Sequence, residues 1–307
     1  MEKQLWNACY DGKVEEVTQL LQNSQLNINW QDHSVYDKDS KYPWSTTPLY
    51  VACYKGHIEV VKLLLKHQKV DVNRTDNDYF FLTPLLRGLS VEVSADGNTP
   101  LWIACYHGHI EIVKYLLENG RDRDINKANN KSETPLYAAC DWGDKGRIDV
   151  VKVLLNDANV DVNKADRDGL TPFYNACRWG RIEILELLLN DKRVDINQAK
   201  NDGWTPFYHV CYNGRIDVVK YLLESGREID INKKDKDGVT GLDIAREKGN
   251  RNTVKLIESF KKNPNETRES LRFHFELAGK SLSQKELGIS IFIFNLIKKK
   301  NFHKKSR

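Results

Sequence analysis

Thr171-Pro172-Phe173-Tyr174-Asn175-Ala176-Cys177-Arg178-Trp179-Gly180 leads into an apolar run and then into Asp195-Ile196-Asn197. The same order stands elsewhere in the chain. Thr-Pro, an apolar residue and an aromatic one recur at Thr47-Pro48-Leu49-Tyr50, Thr99-Pro100-Leu101-Trp102, Thr134-Pro135-Leu136-Tyr137 and Thr205-Pro206-Phe207-Tyr208. From Pro100 onward the prolines lie 35, 37 and 34 residues apart. A glycine stands eight residues past each proline, at Gly56, Gly108, Gly143, Gly180 and Gly214, and every copy closes on Asp-Val-Asn or Asp-Ile-Asn.

The spacing predicts one supersecondary unit, repeated. Thr is a good helix N-cap, Pro suits the first helical position because its missing N–H costs nothing there, and Gly ends a short helix by accepting a left-handed conformation. The run after the glycine, as in Ile58, Val61, Leu64 and Leu65 with Glu59, Lys62 and Lys66 opposite, predicts a second, amphipathic helix. Helices this short are marginal alone and become stable when stacked on copies of themselves.

The unit resembles the ankyrin repeat, whose period is roughly 33 residues with a Thr-Pro-Leu-His-x-Ala start. The resemblance covers about residues 3 to 260 and implies an all-α solenoid of about seven helix pairs. The ends depart from the pattern as capping repeats do: Leu5-Trp6-Asn7-Ala8-Cys9 lacks Thr-Pro, and Thr240-Gly241-Leu242-Asp243-Ile244-Ala245 has Gly for Pro. Asn29 to Thr47 is ten residues longer than its counterpart Asn197 to Thr205, which predicts an elongated hairpin finger. A further start at Thr83-Pro84-Leu85, only 16 residues before Pro100, reads as a truncated repeat that would disturb the stacking near residues 77–98.

No chemistry is legible. Cys9, Cys53, Cys105, Cys140, Cys177 and Cys211 share one register position, five past the proline slot, and read as small buried hydrophobes. Successive copies are expected roughly 10 Å apart, one helix spacing, beyond the ~7 Å a disulfide spans. No Cys-x-x-Cys pair suggests zinc. Phosphate-loop, dinucleotide, nucleophile-elbow and kinase motifs are absent from the sequence. No catalytic residue, metal or cofactor is expected. His57 and His109 follow the glycine where Arg181 and Arg215 stand in sister copies, an interchange that fits a surface hydrogen-bonding role.

Residues one, four, five and eight past the proline are expected to pack inward, and those three, six and seven past it to share the opposite face. By resemblance, that face and the hairpin tips line a concave groove for a protein partner. The candidate interface is Tyr54, Tyr106, His107, Trp142, Arg178, Trp179, His209 and Tyr212, with Trp204 on a tip. Tyr, Trp and Arg are the side chains that most often carry binding energy. The rings two past the proline (Trp6, Tyr50, Trp102, Tyr137, Tyr174, Tyr208) replace the family's usual His and are read as structural. The closing asparagines Asn73, Asn163, Asn197 and Asn232 are expected to fix the turn through the backbone.

Of the 307 residues, 261–307 hold twelve Lys/Arg against four Asp/Glu, so a body of about −4 carries a tail of about +8. Lys261 to Asn265 reads as a linker, and the segment beyond it as a partly disordered tail or a short extra element. The slightly acidic body argues against nucleic acid, whose backbone demands a basic face. A polybasic tail can meet anionic membrane or act as a nuclear signal. With no secretory signal at the N-terminus and no stretch long enough to span a bilayer, the chain is expected in the cytoplasm, as a monomer. The reading is a non-catalytic adaptor or scaffold. The alternatives are a membrane-associated or nuclear regulator addressed by the tail, or the recognition subunit of an enzyme complex.

Overall fold

The structure, a computed structural model, describes residues 1–31, 46–76, 96–141 and 145–279. The finger at residues 30 to 46 therefore lies mostly outside the described residues, as do the Thr83-Pro84-Leu85 start, Trp142, Gly143 and the tail from 280 onward.

Seven helix pairs follow one another among the described residues: α1 (Glu2–Asp11) with α2 (Val14–Leu20), α3 (Pro48–Lys55) with α4 (Ile58–Lys66), α5 (Pro100–Tyr106) with α6 (Ile110–Asn119), α7 (Pro135–Ala139) with α8 (Lys145–Leu155), α9 (Pro172–Trp179) with α10 (Ile182–Asn190), α11 (Pro206–Tyr212) with α12 (Ile216–Glu224), and α13 (Gly241–Glu247) with α14 (Arg251–Lys262). A further helix, α15 (Pro264–Gly279), closes the described chain. No described helix is long and apolar enough to cross a membrane.

The first helix of each unit begins as its sequence dictates. The hydroxyl oxygens of Thr47, Thr99, Thr134, Thr171 and Thr205 accept from the backbone N–H three residues on, at 3.0–3.1 Å, with proline at the first helical position. Gly56 closes α3 with φ of 81°, and a Cβ there would lie 2.8 Å from the His109 ring of the next repeat. First helices stack on first helices and second on second, with α10 and α12 approaching each other least. Leu, Val, Ile and Ala from both rows form one continuous core, and all six cysteines lie in it as free thiols whose pKa burial pushes up.

Two ladders tie neighbouring repeats. The closing asparagines, expected to fix their own turn, bond the next repeat instead. Asn163 donates to Arg193 O (2.8 Å) and accepts from Asp195 N (2.7 Å), and Asn29, Asn73, Asn126 and Asn197 repeat this bond pair into the unit that follows each. The local turn is held instead by the aspartate two residues earlier, as in Asn197 N to Asp195 Oδ1 at 2.9 Å. The second ladder runs from the residue after the glycine: His57 meets Tyr10 O, His109 meets Tyr54 O, Arg147 Nε donates to Tyr106 O, Arg181 Nε to Asp141 O, and Asn250 to Tyr212 O. The His-for-Arg interchange is thus a hydrogen-bonding role between repeats.

The stack expected to be disturbed near residues 77–98 is continuous. Asn73 reaches Asp122 O and Asp124 N, and α3 packs directly on α5. Asp76 N donates to Asn98 O (3.1 Å) just as Asp166 N donates to Leu170 O (3.0 Å). Asp76 and Asn98, the described residues that flank this stretch, are therefore joined as at an ordinary hairpin tip.

Lys261 to Asn265, expected as a linker, is the end of α14, a single turn residue Asn263, and the start of α15. That helix packs on α12 and α14, with Leu271 buried, Arg268 donating to Leu223 O (3.2 Å) and Arg272 to Glu224 (3.0 Å). Two of the tail's basic residues are spent on the solenoid itself.

Candidate functional site

The expected outer face is half right. Four of the five residues three past the proline, Val51, Ile103, Ala138 and Asn175, are buried between neighbouring first helices, and the fifth, His209, is half-buried. Those six and seven past it reach the surface: Tyr54, Tyr106, His107 and Tyr212 are half-buried, Arg178 is exposed, and Trp179 is 41% exposed. Nothing is described of Trp142.

The candidate residues gather in two clusters. In the first, His107 stands edge-on to Tyr54 (centroids 4.8 Å) and to Tyr106 (5.2 Å). Tyr106 stacks on Trp102 at 5.3 Å and carries the Arg147 guanidinium over its face at 5.0 Å. Tyr10, 39% exposed, continues the row one repeat earlier, with the Lys55 ammonium 4.1 Å from its ring centre. Cations over ring faces contribute about 0.5–1 kcal/mol each when exposed. The sequence reading missed Tyr10 and Arg147. Tyr10 sits in the Thr-Pro-less first copy, and Arg147 is displaced by the insertion that stretches its copy to 37 residues.

In the second cluster Trp204 lies against Tyr208 (4.8 Å), Tyr212 (5.1 Å) and His209 (6.1 Å), with Lys200 Nζ 4.8 Å above its ring. Arg178 covers Trp179 at 5.1 Å, and Lys248 covers Tyr212 at 5.0 Å. Four of these side chains, Arg178, Lys200, Trp204 and His209, line a cleft of about 470 Å³ between the fifth and sixth repeats, with Asp168, Leu170, Tyr174, Asn201 and Asp202 completing its walls.

The floor of this cleft departs from its sister positions. Tyr50 donates to Asp76 Oδ2 and Tyr137 to Asp166 Oδ2, both at 3.1 Å, and Asp235 stands beside Tyr208, where after burial it helps raise the pKa of that hydroxyl. Each of these aspartates lies three residues past the closing asparagine. In the fifth repeat that place is Lys200, which has no acceptor to offer, and the fully buried Tyr174 hydroxyl has no hydrogen-bond partner. His209 Nδ1 and Arg215 Nε are also buried without partners at the same junction; Arg215 is the residue that breaks the second ladder. Burial, then the positive charges of Arg178, Lys200 and Arg215, lower the His209 pKa to about 4 against the opposing pull of Asp202. Among the described residues no group of His, Cys, Asp and Glu is arranged to hold a metal.

Two-helix units stacked on one another, with hairpin tips and a ring-lined face on the first helices, define a repeat solenoid of the binding class. The family model described as "Ankyrin repeats (3 copies)" matches residues 3–76, 77–166, 123–200, 145–235 and 192–268, so the chain belongs to the ankyrin-repeat family. It is similar to the crystal structure of EF0377, an ankyrin repeat protein, at 30% identity and a TM-score of 0.56, covering 68% of this chain and 96% of that one. The ankyrin repeat domain of Bcl-3, titled a unique member of the IkappaB protein family, shares the fold at 20% identity and a TM-score of 0.63, over 83% of this chain and 97% of that one. Curated relatives match shorter stretches: Protein fem-1 homolog A-like of Mus musculus, 38% identical over 60 residues, and Ankyrin repeat and KH domain-containing protein mask-1 of Caenorhabditis elegans, 36% over 80. These stretches are 20% and 25% of this chain but only 8% and 3% of those relatives. Ankyrin repeats are protein-interaction modules, so the fold serves protein partners in general.

Proposed function

We propose that the chain is a non-catalytic adaptor or scaffold that holds a protein partner on the ring-lined face of its first helices. The observation that carries the reading is Trp179: a large ring, 41% exposed, under the Arg178 guanidinium and next to a cleft that already holds Trp204 and His209. Folding alone gives no reason to leave such a ring in water, whereas half-buried aromatic and arginine side chains set around a cleft suit a binding hot spot. The row formed by Tyr10, Tyr54, Tyr106 and His107 extends the same face toward the N-terminus.

The test is a pull-down from native lysate with the full chain as bait, against a variant carrying Tyr106→Ala and Trp179→Ala, with circular dichroism on both. A protein recovered by the wild type and lost with a folded variant is the expected result. Equal recovery by both baits sinks the ring-lined face as the site.

A further inference from the structure

We propose that the cleft between the fifth and sixth repeats is an acidic-side-chain subsite, in which a glutamate or aspartate of a polypeptide partner takes the place that an internal aspartate fills in the sister repeats. The inference rests on the adaptor reading and adds to it the chemistry of one contact.

The argument starts from register. Asp76 and Asp166 each do two jobs at their tips: Oδ1 accepts from backbone N–H groups, and Oδ2 accepts the tyrosine hydroxyl of the preceding first helix. In the fifth repeat the jobs are divided. Asp202 Oδ1 takes over the backbone role by accepting from Trp204 N at 3.0 Å, and its other oxygen holds Lys200 Nζ. The tyrosine role has no successor. Buried donors without acceptors are uncommon in native proteins, and of the four buried unpartnered side-chain atoms among the described residues, three belong to this junction.

All three lack an acceptor. Tyr174 keeps its proton because burial pushes its pKa up. Asn213 Nδ2 lies 2.9 Å from His209 Nε2, so in the neutral ring the proton sits on Nδ1, the atom without a partner. Arg215 Nε is a donor by nature. Around them stand Arg178 and Lys200; of the two carboxylates in the cleft walls, Asp202 is already engaged and Asp168 is exposed to solvent. The cleft therefore offers donors and positive charge where its sisters offer a satisfied Tyr–Asp pair. An entering carboxylate would accept from Tyr174 and pair with Lys200 as the flexible lysine chain swings off Asp202, while Trp204 provides an apolar face for a flanking residue.

The experiment selects peptides from a random dodecamer display library on the immobilised full chain and titrates the resynthesised peptides by calorimetry. The expected peptides share one Asp or Glu, whose change to Asn or Gln weakens binding about tenfold or more, as loss of a hydrogen-bonded charge does. Lys200→Asp, which restores the internal acceptor, should weaken the same peptides by a similar factor while leaving the urea midpoint at or above the wild-type value. Tyr174→Phe should weaken them several-fold without loss of stability. Peptides that tolerate loss of their acid, or that bind Lys200→Asp as tightly as wild type, overturn the subsite, as does failure to select any binder. So does a tighter fit of phosphoserine than of Glu at the shared position, which would make the site a phosphate reader. Acid-independent peptides lost with Trp179→Ala leave the adaptor reading intact and remove only this subsite; the lysate experiment judges the adaptor reading separately.

Discussion

The fourth and fifth repeats place a tyrosine in the same register, on the same helix, over the same kind of hairpin tip, and treat its hydroxyl in opposite ways. Tyr137 donates a hydrogen bond to Asp166; Tyr174 faces Lys200 and has no acceptor. A solenoid makes this comparison informative, because each repeat contacts little beyond its neighbours and the sister copies act as internal controls. A position that serves folding should look alike in every copy. One that departs, and leaves buried donors unsatisfied when it does, has been released from folding.

The largest difference should come from the tip carboxylates. Asp166→Ala strands the Tyr137 hydroxyl and takes the Oδ1 acceptor from Asp168 N and Leu170 N, so a loss of about 2–3 kcal/mol is expected. Lys200→Ala removes an ion pair to a partly exposed aspartate and the ammonium over the Trp204 ring, and should cost about 1 kcal/mol. Urea unfolding of both variants reads this directly. Equal shifts would mean that the two tips are equivalent and would break the comparison.

The next effect is set by pH. His209 is held near a pKa of about 4 in the folded chain against an ordinary 6.5, so between those values the unfolded chain binds the proton and the folded one does not. The stability is complete above pH 6.5 and is lost as pH falls toward 4. After a discount for partial exposure it amounts to about 2 kcal/mol. His209→Gln should flatten this part of the stability profile. An unchanged slope in that variant would place the titration elsewhere and weaken the view of this junction as a positively charged pocket.

Most of the fold was legible because the repeat is written in residues whose roles are local. Thr and Pro set each helix start, Gly its end, and the apolar spacing its buried face, and the seven pairs follow. What was not legible depends on which backbone lies opposite. Asn163 fixes its neighbour through Arg193 O and Asp195 N, a reach across the stack that a reading along the chain sees only as a turn. Val51 and Ile103 were placed outside because a helical wheel knows one helix, whereas each first helix here has another on either side. For the site, Arg178, Trp179, Trp204, His209 and Tyr212 are brought together around one junction, and Tyr54, Tyr106 and His107 around another. Register alone assigns Tyr174 a structural role. The signal against that was present in the sequence: three residues past the closing asparagine the copies read Asp76, Asn129, Asp166, Lys200 and Asp235, and only one of these reverses the charge.

A smaller and sharper test removes single hydroxyls. Tyr137→Phe deletes a donor and leaves Asp166 short of one bond, for a cost of about 1 kcal/mol. Tyr174→Phe deletes a buried hydroxyl that has no bond to lose, and the same bookkeeping gives no cost or a slight gain. The two substitutions are chemically identical, and both rings are buried, so packing differences largely cancel between them. A loss of stability in Tyr174→Phe as large as in Tyr137→Phe would mean that the Tyr174 hydroxyl is satisfied in solution.

The smallest expected effect is also the most specific, because it converts one repeat into the other. Lys200→Asp gives Tyr174 the acceptor that Tyr137 already has, and a gain of roughly 0.5–1 kcal/mol is expected, reduced by repulsion from Asp202 two residues on. Adding Asp202→Asn removes that repulsion and should recover the remainder. A repeat that gains stability when its odd residue is returned to the family register was carrying that residue at the expense of its own folding. Such positions persist where binding needs them, which is why a rise in the urea midpoint of the full chain together with a fall in peptide affinity would separate a binding site from a neutral drift of sequence. A rise in stability with affinity unchanged would favour drift.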